Sequence, residues 1–410
     1  MNNFGKMILA ENQEYSLDTY QTQLNNNVLV VGTTGAGKTR SIVTPNLLEA
    51  TGSYIVSDPK GNLYYKYREY LEERGYTVRK LDFTNPEESD GYNFFEYIQS
   101  TQDIITTAHM LIYDGNQGNH IDPFWDQAAQ LLLQALIAYL KEAHQPNEQN
   151  LHNLLKLVTM CSSSGDLDDR ESMMDAIFKD YGRTHKDSYA VNTYNKFRVA
   201  ASKTLRSILI TVNAKLGLFD TPEVKAMTAQ DDIDIPLIGL EKTAVFVVVS
   251  DTDRSMDPLA NLFFTQAMNQ LCRYADKHCP DNHLPVPVRF VLDDFATNCK
   301  IAEFPRMIAS IRSRGISTML MIQSEAQLFK CYGDDGATII GNCDTYVYLG
   351  GNDVKTAQAV AERADVPVKK VLNMAVGTNW IFRRGQSPIY GKNFNLDSYL
   401  ERKMGEEVER

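Results

Sequence analysis

An α/β fold interrupted by an all-helical insert is the architecture that these 410 residues predict, and three observations carry it. Short apolar runs alternate with helical stretches over the first hundred residues. Strand signals then cease over residues 101–232, and from Thr243 onward they return. The expected organisation is a discontinuous domain of residues 1–100 and 233–410, with residues 101–232 inserted as helices.

The first strand, Val28–Val31, is apolar throughout, as a buried parallel strand should be. It runs into Gly32-Thr33-Thr34-Gly35-Ala36-Gly37-Lys38-Thr39, the pattern G-x-x-x-x-G-K-[ST]. That chemistry is specific. Glycines let successive backbone N–H groups curl around a β-phosphate, the lysine reaches the β and γ oxygens, and the hydroxyl serves Mg²⁺. Residues 39–43 then open a helix whose N-terminus faces the phosphates, so the loop is expected to bind a nucleoside triphosphate. A second strand over 53–58 ends in Asp58-Pro59-Lys60-Gly61. Asp58 and Lys60 fit either the nucleotide network or an Asp-Pro turn. A helical stretch to Gly75 and a strand over 77–81 continue the alternation.

Within the insert, Asp122-Pro123 starts a helix over 124–140, Asp166 precedes another, a long one runs over 187–215, and Thr221-Pro222-Glu223 opens a short one. Strands return at 243–250, 288–292, 318–322 and 345–349, separated by helical stretches such as 259–275 and 304–314.

The strand Val288–Leu292 ends in Asp293 and Asp294. At the carboxyl end of a buried strand, two acids can divide the work, Asp293 holding Mg²⁺ and Asp294 polarising the attacking water. A turn rich in aspartate is the plainer alternative. Gln323 ends the strand one helix later, where its amide can hydrogen-bond a γ-phosphate or the water, or simply face solvent. Just before that strand, Arg312 and Arg314 close a helix. Either completes the helix dipole or reaches a neighbouring subunit's nucleotide.

Composition bounds the rest. Hydrophobic residues make up 43% and charged residues 23%, the balance of a globular chain with ample core. The first twenty residues hold no apolar run of signal-peptide length, and 124–140 is interrupted by Asp126, Gln127, Gln130 and Gln134, too often for a span of about 18 apolar residues. Six cysteines show no C-x-x-C pair, which argues against a metal site or disulfide framework and fits a reducing cytosol. A net charge of −11 leaves nucleic-acid contact to local clusters. One such cluster is Arg183, Lys186, Lys196, Arg198, Lys203, Arg206 and Lys215, which also reads as a solvated helix face.

The chain resembles the type IV secretion coupling proteins of the TraG/TraD class, the ATPases that deliver conjugative DNA to a secretion channel. The resemblance rests on residues 27–39, Pro45-Asn46-Leu47, Ser57-Asp58-Pro59-Lys60-Gly61-Asn62-Leu63-Tyr64 and Phe124-Trp125. Leu292-Asp293-Asp294-Phe295 is similar to that family's acidic motif, and Ile322-Gln323-Ser324-Glu325-Ala326-Gln327-Leu328 with Tyr332-Gly333 to its glutamine motif. The resemblance implies a RecA-like P-loop ATPase domain with an all-α insert, using ATP and Mg²⁺, assembled as a hexameric ring with nucleotide between subunits. It implies DNA, a relaxase and secretion-channel components as partners, at the cytoplasmic face of a membrane. Arg312 lies where the family places an arginine, implying a finger that acts in trans. Two departures stand out. Family members begin with a pair of transmembrane helices, so membrane attachment here is expected through a missing segment or a partner. Asp294 stands where Glu is usual, which favours a second reading, a nucleotide-switched docking receptor with little hydrolysis. A chromosome-segregation DNA pump is a third, for which a DNA-reading module would be expected.

Overall fold

The computed structural model describes residues 5–112, 123–162, 172–200, 202–297 and 299–401. Asp122 and Asp166, expected to start helices, lie outside the described residues. Eleven strands are seen among them. β1 (Lys6–Ala10) and β2 (Gln13–Ser16) form an antiparallel hairpin of their own. The others, β3 (Val28–Val31), β4 (Ser53–Ser57), β5 (Thr77–Asp82), β6 (Thr243–Val248), β7 (Val288–Leu292), β8 (Ile316–Ile322), β9 (Thr345–Tyr348), β10 (Thr378–Arg383) and β11 (Ile389–Lys392), make one sheet in the order β11-β10-β9-β3-β8-β7-β4-β6-β5.

From β9 to β6 every pairing is parallel. Such strands need helical crossovers, which cover both faces and leave the strands buried. Accordingly β3, β4, β6 and β7 are buried at every position. Met7, Leu47, Leu71, Phe246, Met321 and Val347 belong to one core packed on this sheet. Antiparallel β10 and β11 extend the β9 edge.

Two compact units are distinguished. One takes in residues up to Lys80, Ile235–Val248 and everything from Asn269; the other is Leu81–Asp234 with Val249–Met268. Among the described residues of 101–232 the second unit is helical, and the longest helix there is Pro123–Ala143. Leu132, Leu133, Leu136, Ile137 and Leu140 on that helix are wholly buried, and Phe178 stacks on Tyr194 with centroids 4.0 Å apart.

Two expectations are corrected, and a third, that residues 39–43 open a helix, holds in a refined form. The long helix over 187–215 is two, Tyr189–Arg198 and Ser202–Leu216, although Val199-Ala200 carries no stop signal. The stretch 304–314 is a short helix, Phe304–Met307, followed by a 3₁₀ turn, Ile311–Arg314, that ends at Gly315 with φ +75°. Residues 39–43 form a π-helical turn, a geometry found mostly at functional sites, before the α-helix Thr44–Leu48. Among the described residues no helix is long and apolar enough to cross a membrane.

Candidate functional site

In a parallel sheet the carboxyl ends of the strands face one way, and the crevice beyond them is where ligands bind. Register places Val31 beside Ile322, and Leu292 beside both Leu320 and Ser57. The residues that follow, Gly32, Gln323, Asp293 and Asp58, therefore emerge at the same end. β8 sits between β3 and β7, so Gln323 issues between the phosphate loop and the acidic pair.

The loop is tied to its neighbours by backbone bonds, Gly32 N donating to Ile322 O (3.0 Å) and Thr33 N to Gly350 O (3.2 Å). Gly32 is required by space, since a Cβ there would lie 2.9 Å from that of Leu349. Gly37 is required by conformation, at φ +91°. The amides of Thr34, Gly35 and Gly37 have no hydrogen-bond partner among the described residues, which leaves them as donors for an anion. Lys38 is buried, its Nζ donating to the carbonyls of Gly32 (2.7 Å) and Thr33 (3.3 Å). Burial holds its pKa below the ordinary lysine value, against the pull of Asp293 and Asp294.

Thr39 Oγ1 donates to Asp293 Oδ2 at 2.8 Å, joining the two residues expected to serve Mg²⁺. A hydroxyl and one carboxylate are a small donor set, suited to Mg²⁺, which keeps waters and substrate phosphates as its remaining ligands. Burial raises the Asp293 carboxyl above its usual range, opposed by the Thr39 hydrogen bond and Lys38. Its Oδ1 accepts from Asp294 N at 3.1 Å. Asp294 itself lies at φ +50°, and Gln323 Nε2 approaches its Oδ1 at 3.5 Å, the outer limit of a hydrogen bond.

Asp58 has a structural occupation. Its Oδ2 accepts from Leu63 N (2.8 Å) and Tyr64 N (3.0 Å) at the start of helix Asn62–Glu72, and burial raises its pKa despite those bonds. Lys60 is exposed. Arg312 is not brought to this crevice. It precedes β8, whose seven residues place it roughly 20 Å away at the other end of the sheet, and its Nη2 donates to Thr19 O at 2.9 Å. Arg314 is held by both oxygens of Asp276.

Some contacts had no signal in the sequence. Gln327 Oε1 accepts from Gln323 N (2.8 Å) while its Nε2 donates to Thr297 Oγ1 (3.1 Å), and Tyr332 stacks on Phe295 at 5.8 Å, so the glutamine and acidic motifs brace each other. From the far end of the chain, Asn393 Nδ2 donates to Ala36 O at 3.4 Å, and its Oδ1 accepts from Asn379 at 3.0 Å. Asp397 pairs with Arg40 at 2.5 Å.

The basic stretch of the insert is partly neutralised. Arg198 pairs with Asp175 (2.7 Å) and Arg183 with Asp180 (3.1 Å), whereas Lys186, Lys196 and Arg206 are exposed; the Lys203 side chain lies outside the described residues.

A family description, Type IV secretory system Conjugative DNA transfer, matches residues 3–364. The chain belongs to that family. It is 24% identical over 345 residues to protein VirD4 of Agrobacterium fabrum, covering 82% of this chain and 48% of that one. The chain thus spans about half the length of this relative. Among solved structures, the conjugative coupling protein TrwBdeltaN70 in its unbound form superposes with a TM-score of 0.68 at 17% identity, over 95% of this chain and 88% of that one. The plasmid coupling protein TrwB in complex with ADP and Mg²⁺ does so with 0.63 at 18%, over 90% and 85%. The coupling-protein fold expected from the motifs is the fold observed, an α/β domain with a helical portion.

Proposed function

We propose that this chain is the ATP-driven part of a conjugative coupling protein, a ring-forming ATPase that recruits DNA with its relaxase and passes it into a type IV secretion channel. The observation that carries this is the Thr39–Asp293 contact beside buried Lys38, with Asp294 and Gln323 meeting above the neighbouring strands. ATP with Mg²⁺ suits these residues, and the similar TrwB holds ADP and Mg²⁺. Lys38 neutralises the β and γ phosphates, Thr39 and Asp293 hold the metal, Asp294 takes a proton from the attacking water, and Gln323 orients that water. Mg²⁺ would be held by Thr39 and Asp293 and would supply charge neutralisation for the phosphates. Arg312, remote from its own loop, serves the nucleotide of a second copy in a hexameric ring. Residues 101–232 form the inserted all-α domain on this reading, and attachment at the cytoplasmic face of a membrane comes through a segment or partner beyond the chain.

ATP turnover by the purified protein, with and without DNA, tests this. Lys38→Ala should abolish hydrolysis in a folded protein, and retained turnover removes the ATPase reading. A docking receptor with little hydrolysis is the second reading, favoured by the short Asp294 side chain and its long contact with Gln323. DNA-independent turnover near background in wild-type protein, with ATP still bound, would select it.

A further inference from the structure

At the end of the sheet away from the phosphate loop, three neighbouring strands set side chains on one face. Arg289 of β7 is in register with Tyr54 of β4 on one side and Ser317 of β8 on the other. A cation is out of place in a strand that otherwise reads Val-Phe-Val-Leu and is buried throughout. Arg289 is only 7% exposed, its Nε donates to Ser317 Oγ at 3.2 Å, and no carboxylate pairs with it among the described residues. Burial lowers its pKa from the usual arginine value, opposed only by Tyr54. A buried guanidinium without a counter-charge is unfavourable, and nothing in the fold itself requires one here.

Arg289 lines a cavity of about 80 Å³, room for an oxyanion or several waters. Leu17, Pro287 and Ile316 contribute apolar walls, and Arg312 lines the same space. Among the described residues Arg312 also has no acidic partner, its hydrogen bond going to a carbonyl, although its neighbour Arg314 has one. Two arginines without an acidic partner among the described residues thus line one small space. Guanidinium groups match the oxygens of phosphate in pairs, which selects the ligand class.

We infer that this cavity is an oxyanion site that takes a phosphoryl group on Arg289 and Arg312. The group is either free inorganic phosphate or the phosphoryl end of a nucleotide on a second copy, the latter resting on the ring reading above. The protein's own nucleotide is excluded as a source by the length of β8.

The test uses full-length protein saturated with ADP and Mg²⁺, which fills the phosphate loop, and inorganic phosphate as probe. Dilute wild-type protein is expected to bind phosphate saturably and to unfold at higher temperature as phosphate is added. Arg289→Leu should lose that response while its phosphate-free midpoint equals or exceeds wild type, because exchanging an unpaired buried charge for an apolar side chain is not destabilising. Should Arg289→Leu fold poorly, Arg312→Gln provides the second reading, with phosphate affinity at least tenfold weaker. If dilute protein ignores phosphate but ATP turnover at concentrations where the chain self-associates falls in Arg289→Leu and recovers in Arg289→Lys, the second copy is the source. No phosphate response together with turnover indifferent to Arg289 overturns the site. ADP binding is measured in the same samples, so a failure of the nucleotide reading is seen separately.

Discussion

Burial acts on Asp293 and Lys38 in opposite directions, raising the one pKa and lowering the other. Both shifts favour the neutral forms, so the site is poised against its own charges. For Asp293 the folded pKa exceeds the unfolded value of 3.8, so this group's contribution to stability is fully present below pH 3.8 and is lost as pH rises through the raised value. Asp293→Asn should therefore stabilise the nucleotide-free protein at pH 7.5, with a smaller gain at pH 4.5. Urea unfolding at the two pH values checks this, and the same variant should lose Mg²⁺-dependent tightening of nucleotide binding. Asp294 gives a signed kinetic test. Asp294→Glu, longer by one methylene, should raise turnover, and Asp294→Asn should lower it by about 10² to 10⁴ while nucleotide stays bound. If Asn is harmless, the base lies elsewhere. That Lys38, Thr39 and the acidic pair come together was legible because the loop motif and a strand ending in two acids are both local patterns of fixed spacing. Asn393 was not, since an amide just past the last strand reaches Ala36 only through tertiary packing that no local spacing encodes. Arg289 was overlooked for a related reason: the strand signal around it is so strong that its charge passes unread.

At the scale of elements, β3, β4 and β6 to β9 were legible as short, mostly apolar runs and β5 from the alternation of strands and helices, whereas β1, β2, β10 and β11 were not. Those four are edge or hairpin strands with polar positions, such as Gln13–Ser16 and Ile389–Lys392, whose pattern overlaps with loops. The helical character of 101–232 was legible, but not the break after Arg198, where no local stop signal stands. That break matters for the basic stretch. Arg198 is held by Asp175, which is largely buried and also accepts from Tyr194 and caps its own helix. Arg198→Ala is expected to cost about 1–2 kcal/mol of stability, discounted because the arginine is a third exposed, and to leave DNA affinity unchanged. Chemical unfolding and a DNA titration read the two effects. Exposed Lys196 and Arg206 behave otherwise: replacing both with alanine should reduce the slope of log affinity against log salt by about 1.4 to 1.8 if both neutralise phosphates. An unchanged slope assigns them to solvated surface.

For the whole molecule, the position of Arg312 at the far end of β8 makes a demand that a single chain cannot meet. If it stabilises transition-state charge, it does so on another copy, and Arg312→Ala should bind ATP normally but turn over about 10³ to 10⁵ times more slowly. Mixing it with Lys38→Ala subunits should recover part of the activity, because an intact loop then faces an intact arginine. Mixed assemblies that remain inactive despite proven co-assembly would return Arg312 to the structural role its bond to Thr19 already suggests. The strand that bears the phosphate loop has another property at this scale. β3 is encoded early, yet its two neighbours in the sheet are β8 and β9, contributed by residues 316–348. During synthesis from the N-terminus, the loop sequence emerges long before either strand that holds it in place. A ribosome-bound chain stopped ahead of Ile316 carries the full phosphate motif without the sheet that shapes it, so the ability to capture nucleotide arises only late in translation.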